Sequence, residues 1–147
     1  MHKVFVYGTL KEGFANFGIN AGRRLPGEFR TAERYPLYIV TEFFIPWLVN
    51  QPGAGERVIG QLFEVDDATL REMDRLEQID EEGWYTREEI RVHPHPVGAE
   101  PPNDTDSGIR AFVYFGSSAR LASDVVHAGP LAEFTAQQNL LYRSNEH

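Results

Sequence analysis

Two places in the chain combine residue types and spacing suited to chemistry, and the first is a carboxylate. The stretch 67–79 has a helical pattern, and at about 100° per residue Leu70, Met73 and Leu76 fall on one apolar arc. Glu77 lies inside that arc, between Leu70 and Met73, while Arg71, Glu72, Arg75 and Gln78 take the opposite side. A carboxylate on a core-facing stripe is costly unless it is paired or put to use. Desolvation there raises its pKa and makes it a general base near neutral pH. The competing reading sets Glu77 at the helix end, where it snorkels to solvent or pairs with Arg87 or another arginine.

The second place is a turn. Val4-Phe5-Val6-Tyr7-Gly8-Thr9-Leu10 is an apolar run broken by a glycine and followed by Lys11-Glu12-Gly13. β-Branched and aromatic residues ending at Gly predict a strand entering a tight turn. Such a turn can aim several backbone N–H groups into one concavity, which makes an anion or oxyanion site. Taken alone, it reads more economically as a strand and its hairpin turn.

Other candidates are weaker. Tyr85 and Arg87 alternate on a predicted strand and share a face, either as ordinary cross-strand pairing or as polar support for Glu77. His93-Pro94-His95-Pro96 sets two imidazoles near each other, but the prolines predict an exposed loop and no third ligand is evident, so no metal site is assigned. Gly116-Ser117-Ser118 lacks the nucleophile-elbow pattern and reads as a turn. Asp80-Glu81-Glu82 reads as a solvated loop edge, and Trp47 and Tyr114 as core residues that either fill the interior or line a pocket.

The elements that must position these residues can be laid out along the chain. Strands are predicted at Lys3–Tyr7, Pro36–Val40, Trp47–Val49, Arg57–Val65, Trp84–Val92 and Ile109–Phe115, with Gly60 marking a bend or close packing. Asp66-Asp67 caps a helix running to about Ile79, and Phe14–Ala21 is a short helix or loop. Pro130–Tyr142 is predicted as a closing helix with Pro in its first turn. The segment His93–Gly108 holds four of the nine prolines and is predicted to be a flexible surface loop. Short strands outnumber helices without alternating strictly with them, which predicts an α+β fold: a small, closed or strongly curved mixed sheet flanked by helices.

Composition narrows the function classes. A chain of 147 residues with 41% hydrophobic and 12% aromatic residues predicts one globular domain spanning 1–147. Fourteen basic against 22 acidic residues leave a net charge of −8, which disfavours nucleic acid and anionic membrane surfaces as partners. No cysteine is present, so disulfides, a thiol nucleophile and thiolate metal sites are all excluded. The first strand begins by about residue 3, so no signal peptide is expected, and a cytoplasmic location fits. The apolar stretch 43–49 is far too short for a membrane span.

The motifs then fall into one register. Val4–Gly13 resembles the signature of the γ-glutamyl cyclotransferase-like superfamily, which includes the AIG2-like proteins. Tyr35-Pro36-Leu37, Ile45-Pro46-Trp47-Leu48, Pro52-Gly53-Ala54-Gly55, Gly60–Asp66, Met73–Glu77 and Tyr85-Thr86-Arg87 follow in order, and this series is similar to the γ-glutamylamine cyclotransferase branch. The resemblance covers roughly residues 3–92, and Arg110–Tyr114 matches a later strand. It implies a small mixed β-barrel flanked by helices, with a cavity at its rim. It also implies that Tyr7, Gly8, Thr9 and Leu10 bind the γ-glutamyl group and that Glu77 is the general base. The implied reaction is attack of a substrate's α-amine on its own γ-carbonyl, releasing 5-oxoproline and a free amine without metal, nucleotide or other cofactor. The partner is then a small γ-glutamyl molecule. Rival expectations are the same chemistry on γ-glutamyl amino acids or a γ-glutamyl-protected intermediate, and a non-catalytic binder of a small anion or a protein. Met73-Asp74 stands where the family usually has Leu-Asp, and the stretches after Glu77 and over 93–108 depart from it, which leaves the amine-side specificity open. The oligomeric state is not legible in the sequence.

Overall fold

The computed structural model describes residues 1–95 and 108–143. Among the described residues, nine strands, β1 (His2–Val6), β2 (Arg23–Arg24), β3 (Phe29–Thr31), β4 (Leu37–Val40), β5 (Ile45–Leu48), β6 (Ile59–Val65), β7 (Tyr85–Pro94), β8 (Ile109–Gly116) and β9 (Val126–Leu131), are accompanied by three helices. The helices are α1 (Asp67–Leu76), α2 (Ser118–Ser123) and α3 (Ala136–Leu141), and a 3-10 turn covers Phe17–Ile19.

The order β1-β8-β7-β3-β6 closes on itself, because β6 also pairs with β1, and the result is a five-stranded barrel. Pairing is antiparallel except between β1 and β8, which run parallel, so the barrel is mixed as expected. The long β6 serves two partners on its far edge, β3 near Gly60 and β2 near Glu64. A second, three-stranded antiparallel sheet, ordered β5-β4-β9, packs beside the barrel.

Strand periodicity divides the core in two. Phe5 and Tyr7, Leu62, Ile90 and Val92, and Val113 and Phe115 point to one apolar cluster inside the barrel. Their neighbours Val4 and Val6, Phe63 and Val65, and Tyr114 point outward, where Leu70 and Met73 of α1 and Trp47 of β5 cover them. Phe5, Leu62, Trp47 and Met73 have no accessible surface, and burying each such side chain contributes about 1.5–3 kcal/mol. Gly60 is a close-packing position: a Cβ there would lie 2.5 Å from the carbonyl oxygen of Val6.

Helix α1 begins where predicted, with the Asp66 side chain accepting from the Thr69 N–H at 2.8 Å. It ends at Leu76 rather than Ile79. Gln78 adopts a left-handed φ of 54°, its N–H donates to Arg75 O at 3.2 Å, and the Ile79 N–H donates to Asp74 O at 3.3 Å. That pair of bonds is a Schellman stop, and it makes Glu77 the C-terminal cap.

The C-terminal third corrects the sequence reading most. Pro130 lies in β9, not in the first turn of a closing helix. Gly129 has φ 124°, a conformation that favours glycine, and packs so tightly on β4 that a Cβ would meet Leu37 O at 2.5 Å; the chain here pairs with β4 instead of coiling into a helix. Pro130 is tolerated because β9 is an edge strand. The helical part of the stretch is the six residues of α3. Helix α2 and the two- and three-residue strands β2 and β3 were not anticipated. Strand β7 runs through Pro94, into the segment predicted as a loop, and residues 96–107 of that segment lie outside the described residues. Among the described residues, no helix is long and apolar enough to cross a membrane.

Candidate active site

Strand β1 delivers the turn. After Val6 the chain leaves the sheet at Tyr7 and folds back, with the Lys11 N–H donating to Gly8 O at 3.1 Å and the Asn16 N–H donating to Thr9 O at 2.8 Å. The Asn16 side chain repeats that clamp, its Nδ2 donating to Thr9 Oγ1 at 2.8 Å. Glycine is required at position 8 because a Cβ would come within 2.7 Å of Pro46 Cγ on β5. Among the described residues, the N–H groups of Thr9 and Leu10 have no protein acceptor.

Helix α1 delivers the carboxylate. The Glu77 N–H still bonds Met73 O at 2.9 Å, so the residue keeps its helical azimuth and stays on the apolar arc although the helix stops before it. The snorkelling alternative requires Glu77 to reach outward; instead it lines a cavity. The Arg87 alternative is occupied elsewhere, since that guanidinium pairs with Asp74.

Tyr7, Gly8, Thr9 and Leu10 line the same cavity as Glu77. The space is about 640 Å³, counted out to its open mouth. Its remaining walls include Ile45 and Pro46 from β5, Trp84 and Tyr85 at the start of β7, Tyr114 of β8, and Asn16 and Tyr142. Three tyrosines are locked in place: Tyr7 Oη donates to Tyr114 O at 2.6 Å, Tyr85 Oη to Pro46 O, and Tyr114 Oη to Asp74 Oδ1 at 2.6 Å.

Electrostatics follow from this enclosure. Burial pushes the Glu77 carboxyl up from the ordinary 4.5 to about 8. Burial also raises the Tyr7 and Tyr85 phenols well above the usual value, and the nearby Glu77 charge adds to the rise in both. The Tyr114 phenol is raised by burial first and then by its bond to Asp74. All three phenols therefore stay protonated and act as fixed donors, leaving Glu77 as the group that can exchange a proton near neutrality.

Of the supporting pair, Tyr85 joins the cavity wall and Arg87 does not; Arg87 braces α1 through Asp74. Trp47 is core, with Nε1 donating to Ser117 O at 2.9 Å, whereas Tyr114 is both core and cavity wall. Ser117 caps α2, accepting from the Arg120 N–H at 3.2 Å, and takes no part in the cavity. His93 ends up on β7 opposite Arg30, and His95 follows that strand with its N–H bonded to Glu28 O at 2.8 Å. Asp80, Glu81 and Glu82 are exposed on a second, more open groove that meets the cavity at Trp84 and Tyr85. Sequence reasoning missed Asn16 and Tyr142. Asn16 is held through the non-periodic turn by Thr9, and Tyr142 reaches the cavity through a contact 126 residues away, so neither carries a periodic signal.

A family model described as gamma-glutamyl cyclotransferase, AIG2-like, matches residues 4–130. The gamma-glutamylaminecyclotransferase of Homo sapiens is 38% identical over 123 residues, covering 78% of this chain and 78% of the relative. The Bos taurus protein of the same name is 36% identical over 139 residues, covering 91% of this chain and 76% of the relative. The crystal structure of an AIG2-like protein from Mus musculus superposes with a TM-score of 0.71 at 29% identity, covering 100% of this chain and 97% of that one.

Proposed function

The chain belongs to the gamma-glutamyl cyclotransferase, AIG2-like family, and we propose that it is a γ-glutamylamine cyclotransferase with Glu77 as its proton-transfer group. The observation that carries this reading is the meeting of Glu77 with the Tyr7–Leu10 turn in one cavity, where the carboxyl is raised to about 8.

In the proposed reaction the turn holds the glutamyl end of the substrate. The unpaired N–H groups of Thr9 and Leu10 receive its carboxylate or the oxyanion that forms at the γ-carbonyl. The α-amine attacks the γ-carbonyl carbon, the new C–N bond closes a five-membered lactam, and the bond to the departing amine breaks. Glu77 takes the proton from the α-nitrogen and returns it to the leaving nitrogen, so the sequence balances without any other reagent. Desolvation helps twice. It favours the uncharged acid and the uncharged, nucleophilic amine over the separated ion pair, and it brings the carboxyl's proton affinity close to an amine's, so transfer costs little. Ring closure is intramolecular, and the cavity's main task is to hold the near-attack geometry.

The test is incubation of the purified protein with a panel of γ-glutamylamines, γ-glutamyl amino acids and glutathione, quantifying 5-oxoproline and the released amine. Release from γ-glutamylamines in equal amounts supports the reading. Release confined to γ-glutamyl amino acids or glutathione, or none at all, overturns it.

A further inference from the structure

The matched family segment stops at residue 130, yet one wall of the cavity comes from beyond it. The segment from Phe134 to Arg143 is pinned along its length. Lys11, only 3% exposed, donates from Nζ to Phe134 O at 2.5 Å, and Phe134 itself is fully buried against Phe14. The Ala15 N–H donates to Asn139 Oδ1 at 3.0 Å, and the Arg143 N–H donates to Phe43 O at 2.8 Å. Between the last two anchors, Tyr142 faces the cavity.

Its position relative to the substrate follows from one amide. Asn16 Nδ2 donates to Thr9 Oγ1 at 2.8 Å and to Tyr142 Oη at 3.1 Å, so both of its hydrogens are used and Tyr142 is coupled to the turn that holds the glutamyl end. The second groove meets the cavity at Trp84 and Tyr85 and takes no wall from segment 134–143, which makes that groove a route for the departing amine. The α-amine must be free to cyclise, so the glutamyl end can be enlarged only at its α-carboxyl.

We propose that Tyr142 is a specificity-determining residue, a fixed wall that shuts out γ-glutamylamines whose α-carboxyl carries a further residue. This rests on the cyclotransferase reading of the same cavity. Such an extended substrate would react by the same bond changes, giving an N-terminal 5-oxoprolyl peptide and the same amine.

The experiment compares one γ-glutamylamine with its α-glycyl extension, measuring the released amine chromatographically for wild type, Tyr142→Ala and Tyr142→Phe. Wild type is expected to favour the free substrate at least 100-fold in kcat/KM. Tyr142→Ala is expected to narrow that ratio at least tenfold, whereas Tyr142→Phe, which keeps the ring, holds it within threefold. Mere structural damage lowers both substrates together and leaves the ratio unchanged, so an unchanged ratio in Tyr142→Ala overturns the proposal. Wild-type turnover of both substrates at similar rates also overturns it. Absence of amine release from the free substrate by wild type overturns the cyclotransferase reading itself, and the role of Tyr142 with it.

Discussion

Tyr114 Oη donates to Asp74 Oδ1 at 2.6 Å, which ties α1 to β8 just ahead of Glu77. The other Asp74 oxygen takes Arg87, so one carboxylate fixes the helix against two barrel strands. Asp74→Ala leaves a part-buried guanidinium and a buried phenol without their acceptor. The expected loss is about 2–3 kcal/mol in urea denaturation, against about 1 kcal/mol for Tyr114→Phe. Wild-type stability in both variants would show that the brace is ornamental.

Glu77→Gln keeps the shape of the side chain and removes its ability to exchange a proton. The folded variant is expected to lose about 10²-fold or more in amine release, the usual scale of general acid–base catalysis. A folded Glu77→Gln protein with near-wild-type 5-oxoproline output would take Glu77 out of the mechanism.

The free protein holds the Glu77 proton until about pH 8. The profile of kcat/KM, which reports free-enzyme ionisations, is expected to climb about tenfold per pH unit through neutrality and level off above pH 8. A profile that is flat between pH 5.5 and 7.5 contradicts a carboxyl raised this far.

The same shift makes a stability prediction. In the unfolded chain Glu77 ionises near 4.5, and in the native protein near 8. Its contribution is therefore fully present below pH 4.5 and is lost as pH rises toward 8, because the unfolded state sheds the proton first. At about 1.4 kcal/mol per pKa unit, Glu77→Gln is expected to gain a few kcal/mol on wild type between pH 4.5 and 8.5. Parallel Tm curves for the two proteins across that range would refute the burial of this group.

Gly8→Ala forces a methyl to within 2.7 Å of the Pro46 ring, which cannot rotate away, and the Pro46 carbonyl is held by Tyr85. Overpacking of this kind costs about 1–3 kcal/mol. Because the displaced backbone is that of the turn proposed to hold the glutamyl end, KM for a γ-glutamylamine is expected to rise. Thermal denaturation and initial-rate kinetics check the two effects separately, and an unchanged KM would detach the turn from substrate binding.

Some of this molecule is written locally. The strand entering Tyr7–Leu10, the Asp66 cap and the azimuth of Glu77 follow from short-range rules, since a period and a cap need no distant partner. The α+β class was legible for the same reason, from strand runs long enough to carry their own pattern. The stop after Leu76 was not, because a left-handed Gln78 breaks the usual glycine rule and is held there by backbone bonds to Arg75 and Asp74. Strands β2 and β3 are too short to show periodicity and exist because β6 offers them an edge. Pro130 looked like a helix start, and the sheet edge beside β4 decided otherwise. The cavity is the furthest from local control. Asn16 and Tyr142 are 126 residues apart in sequence and share a hydrogen bond. A pairing at that separation has no period and no spacing to read, and it arises when barrel closure brings the first turn and the last helix to the same rim.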